Sequence, residues 1–152
     1  MIRLLPLLIL AACIGPIGKP VADDTGGAPA AYSTCESADG YPFDIGGMDT
    51  AGGASIEGDT LSVDVGYGGG CQEHEFVLCW PGGAFVTDGE RDAAALEIWH
   101  GGVRDNCEAY LSETLTFDLV PLKTAWQVDH TGPGEVDVSL DGWPASLLYT
   151  FE

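Results

Sequence analysis

The side chains of this chain that could do chemistry gather around two short stretches. Cys71-Gln72-Glu73-His74 sets a thiol and an imidazole three residues apart, and His100 and Cys107 follow downstream. Cys71, His74, His100 and Cys107 together form a Cys2His2 set, the usual inventory of a structural zinc site. Strand parity adds to this. His74 alternates in step with Phe76 and Leu78, and His100 with Leu96 and Ile98, so both imidazoles are expected to point inward at strand ends and to meet. The second stretch, Asp88-Gly89-Glu90-Arg91-Asp92, spaces carboxylates one apart, as calcium loops do. The EF-hand pattern then fails, because Ala93 stands where the turn glycine belongs and Trp99 where the closing glutamate belongs.

Other constellations are weaker. Glu73 and Glu75 face one way on an extended segment and Glu108 follows Cys107, a carboxylate grouping that glycoside hydrolysis could use. In so acidic a chain such neighbours arise by chance. Trp80, Trp99, Trp126 and Trp143 could make a platform for sugar rings, although aromatic residues of a β domain more often serve its core. The sequence holds no G-x-S-x-G elbow, no H-E-x-x-H and no phosphate loop. Its glycine-rich Gly66-Tyr67-Gly68-Gly69-Gly70 lacks the lysine and the helix that cradle phosphate. His130 has no nucleophile beside it in sequence. A non-enzymatic domain without a cofactor is expected.

The elements that would position these groups read as β-strands. Leu61, Val63, Val65 and Tyr67 alternate with small or polar residues, a period-2 strand with one buried face, and Glu57-Gly58-Asp59 turns it back on a short partner at Ala54 to Glu57. Phe76, Leu78 and Trp80 alternate with Glu75, Val77 and Cys79, apolar enough on both faces to suggest a central strand. Further strands follow at Leu96 to Trp99, Leu115 to Leu119, Val136 to Leu140 and Leu147 to Phe151. Residues 91–96 and 121–126 could each form one helical turn. About seven short strands with glycine-rich connections predict an all-β fold, a compact antiparallel β-sandwich, with a small β-barrel as the alternative.

The chain has 152 residues, room for one domain, and 45% of them are hydrophobic, enough for a core. Five Lys and Arg face 24 Asp and Glu, for a net charge of −19. That balance excludes nucleic acid as a partner and docking on anionic lipid through a basic patch. At the start, Arg3 precedes an apolar run from Leu4 to Leu10, the layout of a secretory signal and too short to span a bilayer. Leu10-Ala11-Ala12-Cys13 resembles the lipobox of bacterial lipoproteins. The resemblance implies a signal peptide over residues 1–12, diacylation of Cys13 and a lipid anchor in the cell envelope. Ile14 in place of Asp implies the outer membrane. Residues 14–31, rich in Gly, Pro, Ala and Asp, read as a flexible tether, leaving residues 32–152 as the domain.

Export changes the reading of the cysteines. After Cys13, four remain, Cys35, Cys71, Cys79 and Cys107, an even number that reads as two disulfides in an oxidising compartment, in preference to zinc. Spacing leaves three pairings open. Placement in loops beside strands favours Cys71–Cys107, with Cys35–Cys79 as the second pair stapling the segment that enters the domain. Gly69-Gly70-Cys71-Gln72-Glu73-His74-Glu75-Phe76, Asp105-Asn106-Cys107-Glu108-Ala109 and Leu115-Thr116-Phe117-Asp118-Leu119 together resemble small bacterial envelope lipoproteins, loosely the NigD-like group. That resemblance implies an exported β-rich domain without an established activity, and it also implies Cys71 with Cys107 as one pair. The expected protein binds or scaffolds in the envelope; its protein or polysaccharide partner is not legible. A zinc-binding protein or metalloenzyme and a carbohydrate-binding module are the alternatives.

Overall fold

The computed structural model describes residues 40–43, 53–87, 89–101 and 105–152. Cys13, Cys35 and the tether, and with them the lipidation, signal-peptide and Cys35–Cys79 expectations, lie outside the described residues. The elements are β1 (Tyr41–Pro42), β2 (Ala54–Glu57), β3 (Thr60–Gly69), β4 (Phe76–Cys79), a 3-10 turn (Pro81–Gly83), β5 (Val86–Thr87), β6 (Asp92–His100), β7 (Ala109–Asp118), α1 (Val120–Trp126), β8 (Gly134–Leu140) and β9 (Leu147–Phe151). They form two sheets, one of β2-β3-β7 and one of β1, β4, β5, β6, β8 and β9. The architecture is the expected all-β sandwich, and not a closed barrel.

The smaller sheet follows from the alternation read in the sequence. Gly58, at φ +58°, takes the left-handed position that lets Glu57 pair with Thr60 across a two-residue turn. β3 then runs antiparallel to β7 along its full length, from Thr60 opposite Asp118 to Gly69 opposite Ala109. Leu61, Val63, Val65 and Tyr67 face the core with Phe117 of β7. Against them the larger sheet presents Leu78, Ala94, Leu96, Ile98, Val136, Val138, Leu140, Tyr149 and Phe151. Tyr149 is fully buried, and its hydroxyl donates to Asp59 Oδ1 at 2.7 Å, which satisfies the one polar atom it carries inside.

Three readings of the sequence need correction. Residues 91–96 are not a helical turn: β6 begins at Asp92, and Asp92 and Ala93 pair with β5 on one edge and with β8 on the other. Pairing on two edges outweighs the helix propensity of the alanine run. β4 is not the central strand, because among the described residues it pairs only with β6, and β6 is the hub. The sandwich is not wholly antiparallel either. β8 lies parallel to β6, since the chain leaves the sheet through β7 and α1 before it returns. The helical turn expected at 121–126 is α1. Pro121 opens it, the Val120 N–H donates to Asp118 Oδ1 at 2.9 Å, and Leu122 and Trp126, four apart, bury the same face.

Where α1 and the last strands meet, there is no space for even a methyl group. A Cβ on Gly134 would overlap the Phe151 ring and stand 2.8 Å from Trp126 Cζ3. Both rings are buried, so room for the methyl requires shifting a packed ring. Gly134→Ala is therefore expected to cost ~1–3 kcal/mol by overpacking. Urea unfolding should show a lower midpoint with an unchanged slope; an unchanged midpoint would mean that this junction is loosely packed.

Candidate functional site

The four residues Cys71, His74, His100 and Cys107 do come together, and the fold explains how. β3 ends at Gly69 opposite the start of β7 at Ala109, so the residues just beyond these ends face each other. Cys71 and Cys107 sit there, with Cα atoms 5.8 Å apart, joined as a disulfide across a separation of 36 residues. Closing a loop of that size removes unfolded-state entropy worth ~3–4 kcal/mol. The pairing is the one expected. The bonded sulfurs are not thiolates, so in the oxidised protein the Cys2His2 set cannot serve as zinc ligands.

The residue that organises the cluster is Asp105, which the sequence reading missed. Its Oδ2 accepts the backbone N–H groups of Gly70 at 2.8 Å, Cys71 at 2.8 Å and Gln72 at 3.0 Å, while Oδ1 accepts that of Cys107 at 2.9 Å. Oδ2 also lies 3.2 Å from His74 Nε2. The Cys107 N–H leads in holding the Asp105 carboxyl well below the usual carboxylate range; burial opposes this, and Cys71, Gln72 and His74 add to it. One carboxylate thus ties both halves of the disulfide loop together. The Asp105-x-Cys107 spacing of an Asx turn was its only trace in the sequence.

The two histidines meet as strand parity predicted. His74 Nδ1 lies 2.7 Å from His100 Nε2. The ionised Asp105 only accepts, so His74 Nε2 must carry the proton facing it. In neutral His74, Nδ1 is then the acceptor, and His100 donates from Nε2. The rings sit in an aromatic box. Phe76, paired with His100 across β4 and β6, stacks on it at 4.5 Å, and the Tyr67 ring is 4.8 Å from His74. The Tyr67 hydroxyl donates to Glu113 Oε1 at 2.8 Å. Burial, with the Glu113 bond adding, pushes the Tyr67 hydroxyl up to about 12. Gly69 makes the approach possible: at φ +147°, its missing Cβ would stand 2.5 Å from His74 Nε2 and 3.0 Å from Asp105 Oδ2.

Chemically, Asp105–His74–His100 is a linear hydrogen-bonded relay. Its His74 and Asp105 side chains are only 3% and 2% exposed, and His100 is buried. The sulfurs of Cys71 and Cys107 adjoin the Asp105 carboxylate, but they are bonded to each other and offer no thiol while the bridge is closed. The geometry is that of a polar clasp locking the disulfide loop onto the sandwich. The remaining sequence candidates are dispersed. Glu73, Glu75 and Glu108 are exposed around the clasp. Asp88 lies outside the described residues. Asp92 is not in a loop but opens β6, where its carboxylate accepts Thr87 Oγ1 and Trp126 Nε1. The four tryptophans make no common platform. Trp80 and Trp126 are buried in the core, Trp99 donates to Glu97 on the outward face of β6, and Trp143 packs beside the core before β9.

No protein-family profile and no curated protein matches the sequence. A crystal structure from Parabacteroides distasonis ATCC 8503, described as toxin related, superposes with a TM-score of 0.40 at 14% identity, over 82% of this chain and 60% of that one. The chain therefore spans about three fifths of the length of that structure. At that score the likeness adds nothing to what the residues show.

The clasp predicts an acid sensitivity. Burial first, and then repulsion from His74, lowers the pKa of His100 from its ordinary 6.5, with Glu113 opposing. As pH falls through 6.5, the unfolded chain takes up a proton that folded His100 refuses, so stability present above that pH is lost below it. Asp105, held low when folded, loses its contribution only below the ordinary aspartate value of 3.8. The urea midpoint is expected to fall between about pH 7 and pH 5, and that slope to flatten in His100→Gln. An equally steep slope in the variant would place the titrating group elsewhere.

Proposed function

We propose that this chain is an exported bacterial envelope protein, anchored by lipid on Cys13, whose disulfide-clasped β-sandwich binds a partner rather than catalysing a reaction. The observation that carries this reading is the Cys71–Cys107 bridge in a chain that also bears Leu10-Ala11-Ala12-Cys13 directly after an apolar run. Disulfides persist where the surroundings are oxidising, and the lipobox supplies a route to such a place. Ile14 in place of Asp favours the outer membrane. With a net charge of −19 the domain is repelled by anionic headgroups. Membrane residence must then come from acyl chains, and two chains suffice where one is marginal.

The reading as a binder rather than an enzyme rests on the clasp. Its histidines and its carboxylate spend their hydrogen-bonding capacity on one another and on backbone N–H groups, a structural use of residues that could otherwise do acid–base work. The acidic surface serves solubility.

Two measurements test the proposal. In cells of a lipoprotein-processing bacterium, the wild-type chain is expected in the membrane fraction and Cys13→Ala in the soluble fraction; membrane retention of the variant would overturn lipid anchoring. Denaturing, non-reducing intact mass of the exported protein should fall below the reduced mass by two hydrogens for each of two bridges. A deficit for one bridge only would show that Cys35 and Cys79 do not pair.

A further inference from the structure

At the opposite end of β6 from the clasp, the fold leaves a cleft of about 490 Å³, within the ~300–1,000 Å³ range of small-molecule sites. One wall is the 3-10 turn and β5, the other the end of α1 and the residues after it. Asp92, at the start of β6, lines it together with Phe85, Trp126, Val128, Asp129 and His130. No Lys or Arg is among the described residues that line it.

Inside the cleft two hydrogen-bond acceptors are held against each other. His130 stacks on Trp126 at 4.1 Å, and its Nδ1 lies 3.1 Å from the Trp126 carbonyl oxygen. A carbonyl only accepts, so Nδ1 carries the proton, and neutral His130 keeps its lone pair at Nε2. Nε2 stands 3.5 Å from Asp92 Oδ2, itself an acceptor. Asp92 Oδ1 accepts Thr87 Oγ1 at 2.6 Å and Oδ2 accepts Trp126 Nε1 at 2.9 Å. Each bond fills one site on an oxygen that offers two. These bonds and the stack fix both acceptors in place, and both stay reachable, with the His130 side chain 44% and that of Asp92 12% exposed. A second proton on His130 would answer the pair from within, but 3.5 Å is long for a charged N–H···O bond of ~2.7–2.9 Å. A donor lodged against both atoms answers it better.

Charge and geometry narrow the ligand class. Asp92, Asp129 and the net charge of −19 repel an anion and draw a cation in, while a neutral donor gains nothing from that field. A metal ion finds too few ligands, because among the described residues Asp92 and His130 belong to no group of three ligand atoms within 4.8 Å of one another. A quaternary ammonium has no N–H to give. A guanidinium seeks two unengaged oxygens on one carboxylate, and both oxygens of Asp92 already hold a donor. A primary ammonium carries three donors on one atom and meets two fixed acceptors at once. Phe85 and Val128, the latter 78% exposed, offer apolar surface to the methylenes behind it.

We propose that this cleft binds a primary alkylammonium group, its N–H donors shared between Asp92 Oδ2 and His130 Nε2 and its methylene chain lying on Phe85 and Val128. Asp129 adds negative charge at the rim. A free alkylamine and a lysine side chain present this same chemistry. The proposal deepens the reading of the domain as a binding module and rests on it.

The test uses the full mature protein, extracted in a non-ionic detergent and held at low salt. Tryptophan emission and titration calorimetry follow the addition of pentylammonium, N-acetyl-lysine amide, pentanol and tetramethylammonium. Pentylammonium is expected to bind at about millimolar Kd or better, and pentanol and tetramethylammonium at least ~10-fold more weakly. N-acetyl-lysine amide binding as tightly as pentylammonium marks a lysine side chain as the natural source, and weaker binding marks a free amine. His130→Phe keeps a ring on Trp126 and removes the lone pair, and Asp92→Asn removes the charge; each should weaken binding ~10-fold. Asp92 also braces β6, so the more exposed His130 decides the matter should Asp92→Asn fail to fold. Glu108→Gln, exposed at the clasp end, removes the same charge outside the cleft and should change nothing. No heat from either amine at about 10 mM would overturn the proposal. So would equal binding of pentanol or tetramethylammonium, affinity unchanged in His130→Phe, or a loss in Glu108→Gln as large as in His130→Phe, which would mark the overall charge and not this site. Membrane fractionation of the same protein separates the two readings. Failure to bind with Cys13-dependent anchoring intact sinks the ammonium assignment alone, and anchoring lost with binding intact sinks only the address.

Discussion

The inward face of β6 reads Asp92, Ala94, Leu96, Ile98, His100: an apolar stripe with one polar side chain at each end. Much of the rest of the molecule answers to that face. Its middle is the part that a sandwich core can accept without further provision. Its ends are not, because a buried carboxylate or imidazole needs partners that the strand itself cannot supply. Those partners come from far along the chain. His100 meets His74, 26 residues away, and through it Asp105. Asp92 meets Trp126, 34 residues away, and His130 beyond it. The strand also pairs along both edges at both ends, with β1 and β4 at Trp99 and His100 and with β5 and β8 at Asp92 and Ala93. Register is therefore pinned twice, by the ladder and by the polar residues; a slip of one residue would turn Asp92 and His100 outward together.

This geometry also explains what could be read in advance. Period-2 alternation exposed β3, β8 and β9 because each buries one face, and parity alone brought His74 toward His100. The Cys71–Cys107 pairing followed from loops beside strands. Other features left no local trace. β1 and β5 are two residues long, too short for any pattern to register. Ala93 to Ala95 look helical until β5 and β8 flank them. Asp105 is a surface-type residue in a polar loop, and nothing in its neighbourhood shows that the N–H groups of Gly70, Cys71 and Gln72 will converge on it.

Cations are scarce, and the two among the described residues, Arg91 and Lys123, both meet carboxylates. Arg91 donates to Glu135 at 2.9 Å and lies 3.6 Å from Asp137, bracing the start of β6 against β8. Lys123 stands 3.9 Å from Asp59 and lies over the Phe151 ring. Exposed pairs of this kind each contribute little, ~0–1 kcal/mol. Most carboxylates repel one another without compensation, and the core, the two polar networks and the disulfide hold the domain together against that repulsion.

The placement of the bridge has a mechanical side. Cys71 and Cys107 lie just past the ends of β3 and β7 that face each other at Gly69 and Ala109; a pull on the two chain ends acts first at the other end, on Thr60 and Asp118, and the bond is the stop at which separation of the ladder ends. β4, β5 and β6 all fall inside the closed loop. A load between the two chain ends passes across the sulfur–sulfur bond and bypasses those strands. The segment between the cysteines, a sequence separation of 36 and ~120 Å of contour if drawn straight, cannot be paid out. Under the proposed arrangement, with a tether at one end and a partner at the other, the larger sheet's central strand stays inside a closed covalent loop while the outer parts of the fold take the strain.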